Sequence, residues 1–183
     1  TRLTARCSWQ PDEQSWLESA SAVPGPHPPE LLINISASPF ELGKAAQRRD
    51  LVRRYAAQSG RFFVYANQVG GNDSLLFDGL SAVFDRQGRM VARARDFEED
   101  LILYDTAEES TVIREVAASE IEAVFKALVM GTRDYVTKCG FSKAVIGLSG
   151  GIDSALTAAI AAEALGPDNV ITVFMPSTYT SGD

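Results

Sequence analysis

The sequence predicts an α/β fold, and three observations carry that prediction. Short apolar runs of strand length, LLINI (31–35), RFFVYANQV (61–69), KAVIGL (143–148) and VITVFM (170–175), alternate with stretches of helical periodicity. Glycine-containing stops such as Ser59-Gly60 and Gly166-Pro167 separate the two kinds of segment. The composition, 45% hydrophobic and 22% charged over 183 residues, is that of a folded chain of one or two domains.

Taken in order, residues 1–30 form an irregular arm. VPGPHPPE places four of the chain's eight prolines in one stretch, and no strand or helix pattern survives there. LLINI then reads as a buried strand. KAAQRRDLVRRYAAQ (44–58) is a helix that gathers Ala45, Leu51, Val52, Tyr55 and Ala56 on one side and stops at Ser59-Gly60. RFFVYANQV is a second buried strand, followed by the turn GGND. LLFDGLSAVFD and RMVARA make a hairpin about the tight turn RQG, and FEEDLILYD closes this half as an apolar strand with a charged start.

Residues 106–120 read as a polar linker. The helix after it carries Ile121, Val124, Phe125, Leu128 and Val129 at the spacing of a single buried face and ends near Gly140. KAVIGL, ALTAAIAAEAL (155–165) and VITVFM then form a βαβ unit with parallel strands. The division expected is an arm (1–30), a first α/β part (31–105), a linker with its helix (106–140) and a second α/β part (141–183).

Charge and composition exclude several classes. A net charge of −7 without basic clusters argues against nucleic-acid binding. Cys7 and Cys139 fit neither a metal spacing nor a disulfide framework. No apolar run approaches the roughly 20 residues needed to cross a bilayer, so no membrane partner and a cytoplasmic location are expected. The chain opens on threonine and closes on a turn-like TSGD, which predicts a piece of a longer polypeptide.

The chemistry concentrates in GLSGGIDS (147–154), between the strand KAVIGL and the helix that follows. Ligands of such units bind beyond the carboxyl ends of the strands. Two glycines let backbone N–H groups approach an anion, and the helix start adds further donors and the positive end of its dipole. Ser149 and Ser154 add hydroxyls. Asp153 would repel a bare phosphate, so it points to a bridging Mg²⁺. The loop lacks the GK(S/T) ending of a Walker A and is not GxGxxG. A pyrophosphate site remains; the bland alternative is a glycine turn with Asp153 at the helix start.

SGGIDS resembles the PP-loop of the ATP pyrophosphatases. The wider stretch from Gly140 to Asp183 is similar to the glutamine-dependent NAD⁺ synthetases, and ALVMGTRDYVTKCGFSK (127–143) resembles the helix that enters their synthetase domain. NISASPFELGK (34–44) and YANQVGGNDSLLFDGLSAVFD (65–85) resemble the nitrilase-type glutaminase domain fused in front of it. The resemblance covers residues 31–183. It implies part of a nitrilase-type α/β sandwich followed by the first βαβ unit of a Rossmann-like PP-loop domain.

The implied reaction is ATP-dependent amidation of nicotinic acid adenine dinucleotide through an adenylated intermediate. Ammonia comes from glutamine, Mg²⁺ assists, and the full-length enzyme is a homo-oligomer. Residue by residue, the resemblance implies ATP binding at Gly147, Leu148, Ser149, Gly150, Gly151, Ile152, Asp153 and Ser154, with Asp153 also at the metal. Ser38 and Lys44 would hold glutamine, and Ser177, Tyr179 and Ser181 would lie near the nucleotide. The family's Cys nucleophile is usually followed by Glu-Asp. Cys7 sits among Arg6, Ser8 and Trp9 instead and is not assigned as catalytic, while the family's catalytic Glu and Lys match no position here. An inactive fragment is therefore expected. The alternatives are a remnant that at most binds nucleotide, or another PP-loop ligase, against which SASPF and VGGND argue.

Overall fold

The computed structural model describes residues 29–108 and 110–175, so Cys7, Ser177, Tyr179 and Ser181 lie outside the described residues. The elements alternate as expected of a mixed α/β chain. Strand β1 (Leu31–Ser36) leads through helix α1 (Lys44–Ser59) to β2 (Phe62–Asn67), and β3 (Val69–Asn72) and β4 (Leu75–Asp78) follow. After β5 (Ala82–Phe84), β6 (Met90–Arg93) and the short β7 (Val112–Ile113) comes helix α2 (Glu120–Lys138). Strand β8 (Ala144–Leu148), helix α3 (Ile152–Leu165) and β9 (Val170–Phe174) complete the order.

The main sheet runs β1-β2-β5-β6-β7. β1 and β2 are parallel because α1 carries the chain back between them, whereas β5 and β6 form an antiparallel hairpin. Val52 and Ala56, one turn apart on α1, pack against Phe63, Tyr65, Ala82 and Phe84 of the sheet. Helix α1 ends as its sequence dictates: Gly60 adopts the left-handed conformation and its N–H returns to the Ala56 carbonyl.

Several expectations change. β1 is not buried on both sides: Leu32 packs toward the core, but Ile35 on the opposite face is 87% exposed, because no described element covers that face. GGND is not simply a turn. Gly70, Gly71 and Asn72 are ladder residues of β3, which pairs with β4 as a separate hairpin, so LLFD belongs there and only β5 pairs with RMVAR. Residues 101–105 form no strand; Leu101 and Leu103 point outward, Leu103 being 83% exposed. The linker supplies β7 instead, parallel to β6.

Helix α2 turns a different face inward from the one its large residues mark. Ala123, Ala127 and Met130 pack with Phe40, Val69, Leu76 and Phe97, while Ile121 is 80% exposed and Phe125 and Leu128 are exposed too. Ala123 and Ala127 let α2 lie close against the β3–β4 hairpin, and the long Met130 side chain fills the core beside them. The final βαβ unit has β8 and β9 parallel, in register from Ala144–Val170 to Leu148–Phe174. Its helix begins at Ile152 rather than Ala155. Val145, Leu156, Ile171 and Phe174 remain exposed, as expected of so short an α/β segment.

The β5–β6 turn is held by one carboxylate. Asp85 Oδ1 accepts the N–H groups of Gln87 (2.9 Å) and Arg89 (2.7 Å), and Oδ2 accepts Arg89 Nε at 2.6 Å. Burial pushes the Asp85 carboxyl up, but these donors prevail and hold it below its ordinary value. Its contribution to stability is therefore complete above the ordinary carboxylate value and disappears as pH falls through the lower folded-state value. Asp85→Asn should remove that acid-side dependence from a urea-unfolding series. Gly88 in the same turn has φ +77°, and a Cβ there would stand 2.6 Å from the Arg53 carbonyl oxygen of α1. Gly88→Ala should cost about 1–3 kcal/mol in the same measurement.

Candidate functional site

Two polar clusters lie at opposite ends of the described chain. The first is built where the loop after β1 crosses the start of α1. Ser38 is buried, and its N–H donates to Asn67 Oδ1 at 2.9 Å. Arg48 donates to Ser38 Oγ (3.3 Å) and, through Nη2, to Asp78 Oδ2 at 2.6 Å. Asn67 Nδ2 reaches Asp78 Oδ1 at 3.2 Å and closes the ring of contacts. With side chains only 6% and 2% exposed, Arg48 and Asp78 form a buried ion pair, tolerable because each charge is also hydrogen-bonded.

Local sequence explains the placement. Arg48, Val52 and Ala56 fall four residues apart on α1, so the guanidinium enters the core along the same stripe as the apolar side chains. Asn67 and Asp78 end β2 and β4, and the ends of these strands converge on Ser38. The cluster borders a cavity of about 470 Å³, whose wall includes Phe40, Arg48, Tyr65, Asp78 and Asp96. Burial raises the pKa of the Tyr65 hydroxyl above the ordinary phenol value, outweighing the opposing effect of the nearby Ser36 and Ser38 side chains and of Arg48.

Lys44 is not joined to this cluster. Its ammonium pairs with Glu41 at 2.8 Å, and no described hydrogen bond links it to Ser38. Sequence reasoning named Ser38 and Lys44 but missed Arg48, Asn67 and Asp78. The available signal was an arginine inside the apolar stripe of a helix, which predicts a buried acidic partner.

The second cluster is the 149–154 loop, beyond the carboxyl end of β8. Gly150 has φ +85°, a conformation that a side chain would strain. Ser154 Oγ donates to the Gly151 carbonyl (2.9 Å) and lies 3.3 Å from Ser149 Oγ, so the two hydroxyls stand side by side. Gly151 N-caps α3 without a side-chain bond, leaving the first turn's N–H groups for an anion. Asp153 sits in that first turn and is exposed, so it does not cap the helix. Gly147 and Leu148 end β8, and Ile152 opens α3. The eight residues GLSGGIDS thus form one continuous strand-to-helix edge.

No group of three or more His, Cys, Asp or Glu side chains is placed to hold a metal among the described residues. Asp153 alone is the kind of site that fits Mg²⁺ arriving with nucleotide, since that ion binds through one or two carboxylates and completes its shell with phosphate oxygens and water. No described helix is long and apolar enough to cross a membrane.

The carbon–nitrogen hydrolase family model matches residues 27–122, and the NAD synthase model matches residues 124–183. The glutamine-dependent NAD(+) synthetase of Synechocystis sp. is 47% identical over 156 residues, covering 82% of this chain and 28% of that protein. The corresponding Acinetobacter baylyi protein is 43% identical, with 83% and 29% covered. Among solved structures, glutamine-dependent NAD+ synthetase from Acinetobacter baumannii in complex with adenosine diphosphate superposes with a TM-score of 0.83 at 38% identity. That match covers 93% of this chain and 32% of that one. The chain therefore spans less than a third of the length of these relatives. A carbon–nitrogen hydrolase part that passes directly into the start of an NAD synthase part makes this chain a member of the glutamine-dependent NAD(+) synthetase family.

Proposed function

We propose that the chain contributes to ATP-dependent amidation of nicotinic acid adenine dinucleotide, with glutamine as the ammonia source. The observation that carries this reading is the 149–154 loop: paired serine hydroxyls and an uncapped helix start at the carboxyl end of a parallel strand. That the A. baumannii relative was solved in complex with adenosine diphosphate supports nucleotide binding in this reading.

In this reading Gly147 to Ser154 hold the β- and γ-phosphates of ATP. Ser149 and Ser154 donate to their oxygens, and the dipole of α3 offsets their charge. Asp153 would hold a Mg²⁺, whose charge would help to neutralise the pyrophosphate. The nicotinate carboxylate attacks the α-phosphorus and pyrophosphate leaves. Ammonia then displaces AMP to give the amide.

At the other cluster Ser38 receives glutamine, and Lys44 takes the α-carboxylate once it exchanges Glu41 for that ligand. The nucleophile, base and lysine that release ammonia are contributed from elsewhere in the polypeptide, and Cys7 is not assigned to them. Residues 31–105 belong to the glutaminase part, 106–140 join the parts and 141–183 open the synthetase part. A cytoplasmic homo-oligomer is the form we assign to the complete gene product.

The purified 183-residue chain should bind ATP weakly and make no NAD⁺ from glutamine and the dinucleotide. Gly150→Ala should weaken that ATP binding about tenfold, since the required left-handed backbone costs an L-residue about 1–2 kcal/mol; isothermal titration reads it directly. The complete gene product should release NAD⁺, AMP and pyrophosphate in equal amounts with nicotinic acid adenine dinucleotide. AMP release with xanthosine monophosphate or aspartate instead would overturn the assignment. Ser38→Ala in that protein should raise KM for glutamine about fivefold, the value of one lost hydrogen bond, while leaving turnover with ammonium chloride unchanged.

A further inference from the structure

Helix α2 is the one described element that packs on both halves. Along one side it lies against the β3–β4 hairpin, along another against α3. The hairpin contact is not only apolar. Gly71 pairs with Leu76 inside the ladder, and α2 lies along the outer edge of β3. There Asp134 Oδ2 accepts the Gly71 N–H at 2.8 Å, and Lys138 Nζ donates to the Gly71 carbonyl. The two side chains are one turn apart and paired with each other at 3.8 Å, so α2 grips a single peptide residue from both sides. An open strand edge is thereby satisfied by a helix rather than by another strand.

The grip fixes the helix along its axis as well as against the hairpin. A Cβ on Gly131 would stand 2.8 Å from Leu76 Cδ2, and one on Gly71 would stand 3.5 Å from the Gly131 Cα. Backbone therefore meets the hairpin closely at Gly71 and Gly131. The hairpin is in turn tied to the Ser38 loop. The Phe40 N–H, two residues beyond Ser38, donates to the Leu76 carbonyl at 2.7 Å, and the Phe40 ring packs edge-on against Phe97 at 5.2 Å. Asp78, at the end of β4, holds Arg48, which holds Ser38. On its other side α2 packs along α3, whose first turn carries Asp153 and Ser154.

We propose that Asp134 and Lys138 are positioning residues that couple the glutamine end of the protein to its nucleotide end, by locking α2 to the β3–β4 hairpin at Gly71. This inference rests on the function proposed above and adds to it the contact through which the two half-reactions keep step. Neither residue touches a substrate. Their effect is to make the placement of the Ser38 loop and of the 149–154 loop depend on one rigid helix, so that ammonia is released when the acceptor is activated.

The test uses the complete gene product and the double variant Asp134→Ala/Lys138→Met, with Tyr135→Ala as a control that removes an exposed neighbouring side chain but not the Gly71 contacts. Glutamate and NAD⁺ are measured with glutamine as donor, and NAD⁺ alone with ammonium chloride. The expected result is a glutamate-to-NAD⁺ ratio raised about threefold to tenfold in the double variant, with ammonium-supported turnover within about twofold of wild type and the control unchanged. Hydrogen exchange at the Gly71 amide reports that the grip has opened. An unchanged ratio with a deprotected Gly71 amide overturns the proposal. Equal loss with both donors also overturns it, because it marks a merely structural contact. Wild type that forms no NAD⁺ from ammonium defeats the functional reading itself, and the coupling falls with it.

Discussion

The buried contact between Arg48 and Asp78 organises the first half of the molecule. Taking two charges out of water costs several kcal/mol per ion, and their attraction offsets this only when the remaining donors and acceptors are also satisfied. Here they are: Arg48 reaches Ser38, and Asn67 completes Asp78. The requirement bears on where four separate segments lie. The loop after β1, the start of α1 and the ends of β2 and β4 meet where the guanidinium and the carboxylate are satisfied together. The binding surface is thus fixed by an electrostatic constraint inside the core, and the apolar residues Val52, Ala56, Phe63 and Phe84 fill in around it.

The second site follows a different logic. At the 149–154 loop nothing is buried and no ion pair holds the shape. Geometry comes from the backbone: a positive φ at Gly150, an uncapped helix start and two hydroxyls within 3.3 Å of one another. Such a loop is complete only in the presence of an anion, whose oxygens take the donors that the protein leaves open. A rigid, internally satisfied cluster at one end and an open, donor-rich edge at the other suit their tasks. In the function proposed above, one would hold a small zwitterion in a fixed pose, and the other would close around a leaving pyrophosphate.

Helix α2 joins the two, and its amphipathic pattern misleads for that reason. Ile121, Phe125 and Leu128 are exposed among the described elements, while Ala123, Ala127, Met130 and Gly131 meet the hairpin and the core beside it. Close approach of backbone to backbone, rather than area of side chain buried, governs this interface, and polar contacts from Asp134 and Lys138 replace the bulk that is missing.

Much of this was legible in one dimension. The α/β class, the span of α1, the parallel β8–β9 unit and the SGGIDS loop follow from strand-length apolar runs, glycine stops and local backbone chemistry, all properties of neighbouring residues. So did Ser38, through the motif around it. What the sequence could not determine depends on partners far apart along the chain. Arg48 needs Asp78 thirty residues on, and Gly71 needs Asp134 sixty-three residues on. The strand pattern at 101–105 lost to a two-residue strand in the linker, because edge pairing depends on which backbone lies next to β6 and not on hydrophobicity. Local chemistry wrote the elements and the nucleotide loop; only the tertiary structure decided which face of α2 was inside and which charges were buried, since both are set by what a distant segment brings to the same place.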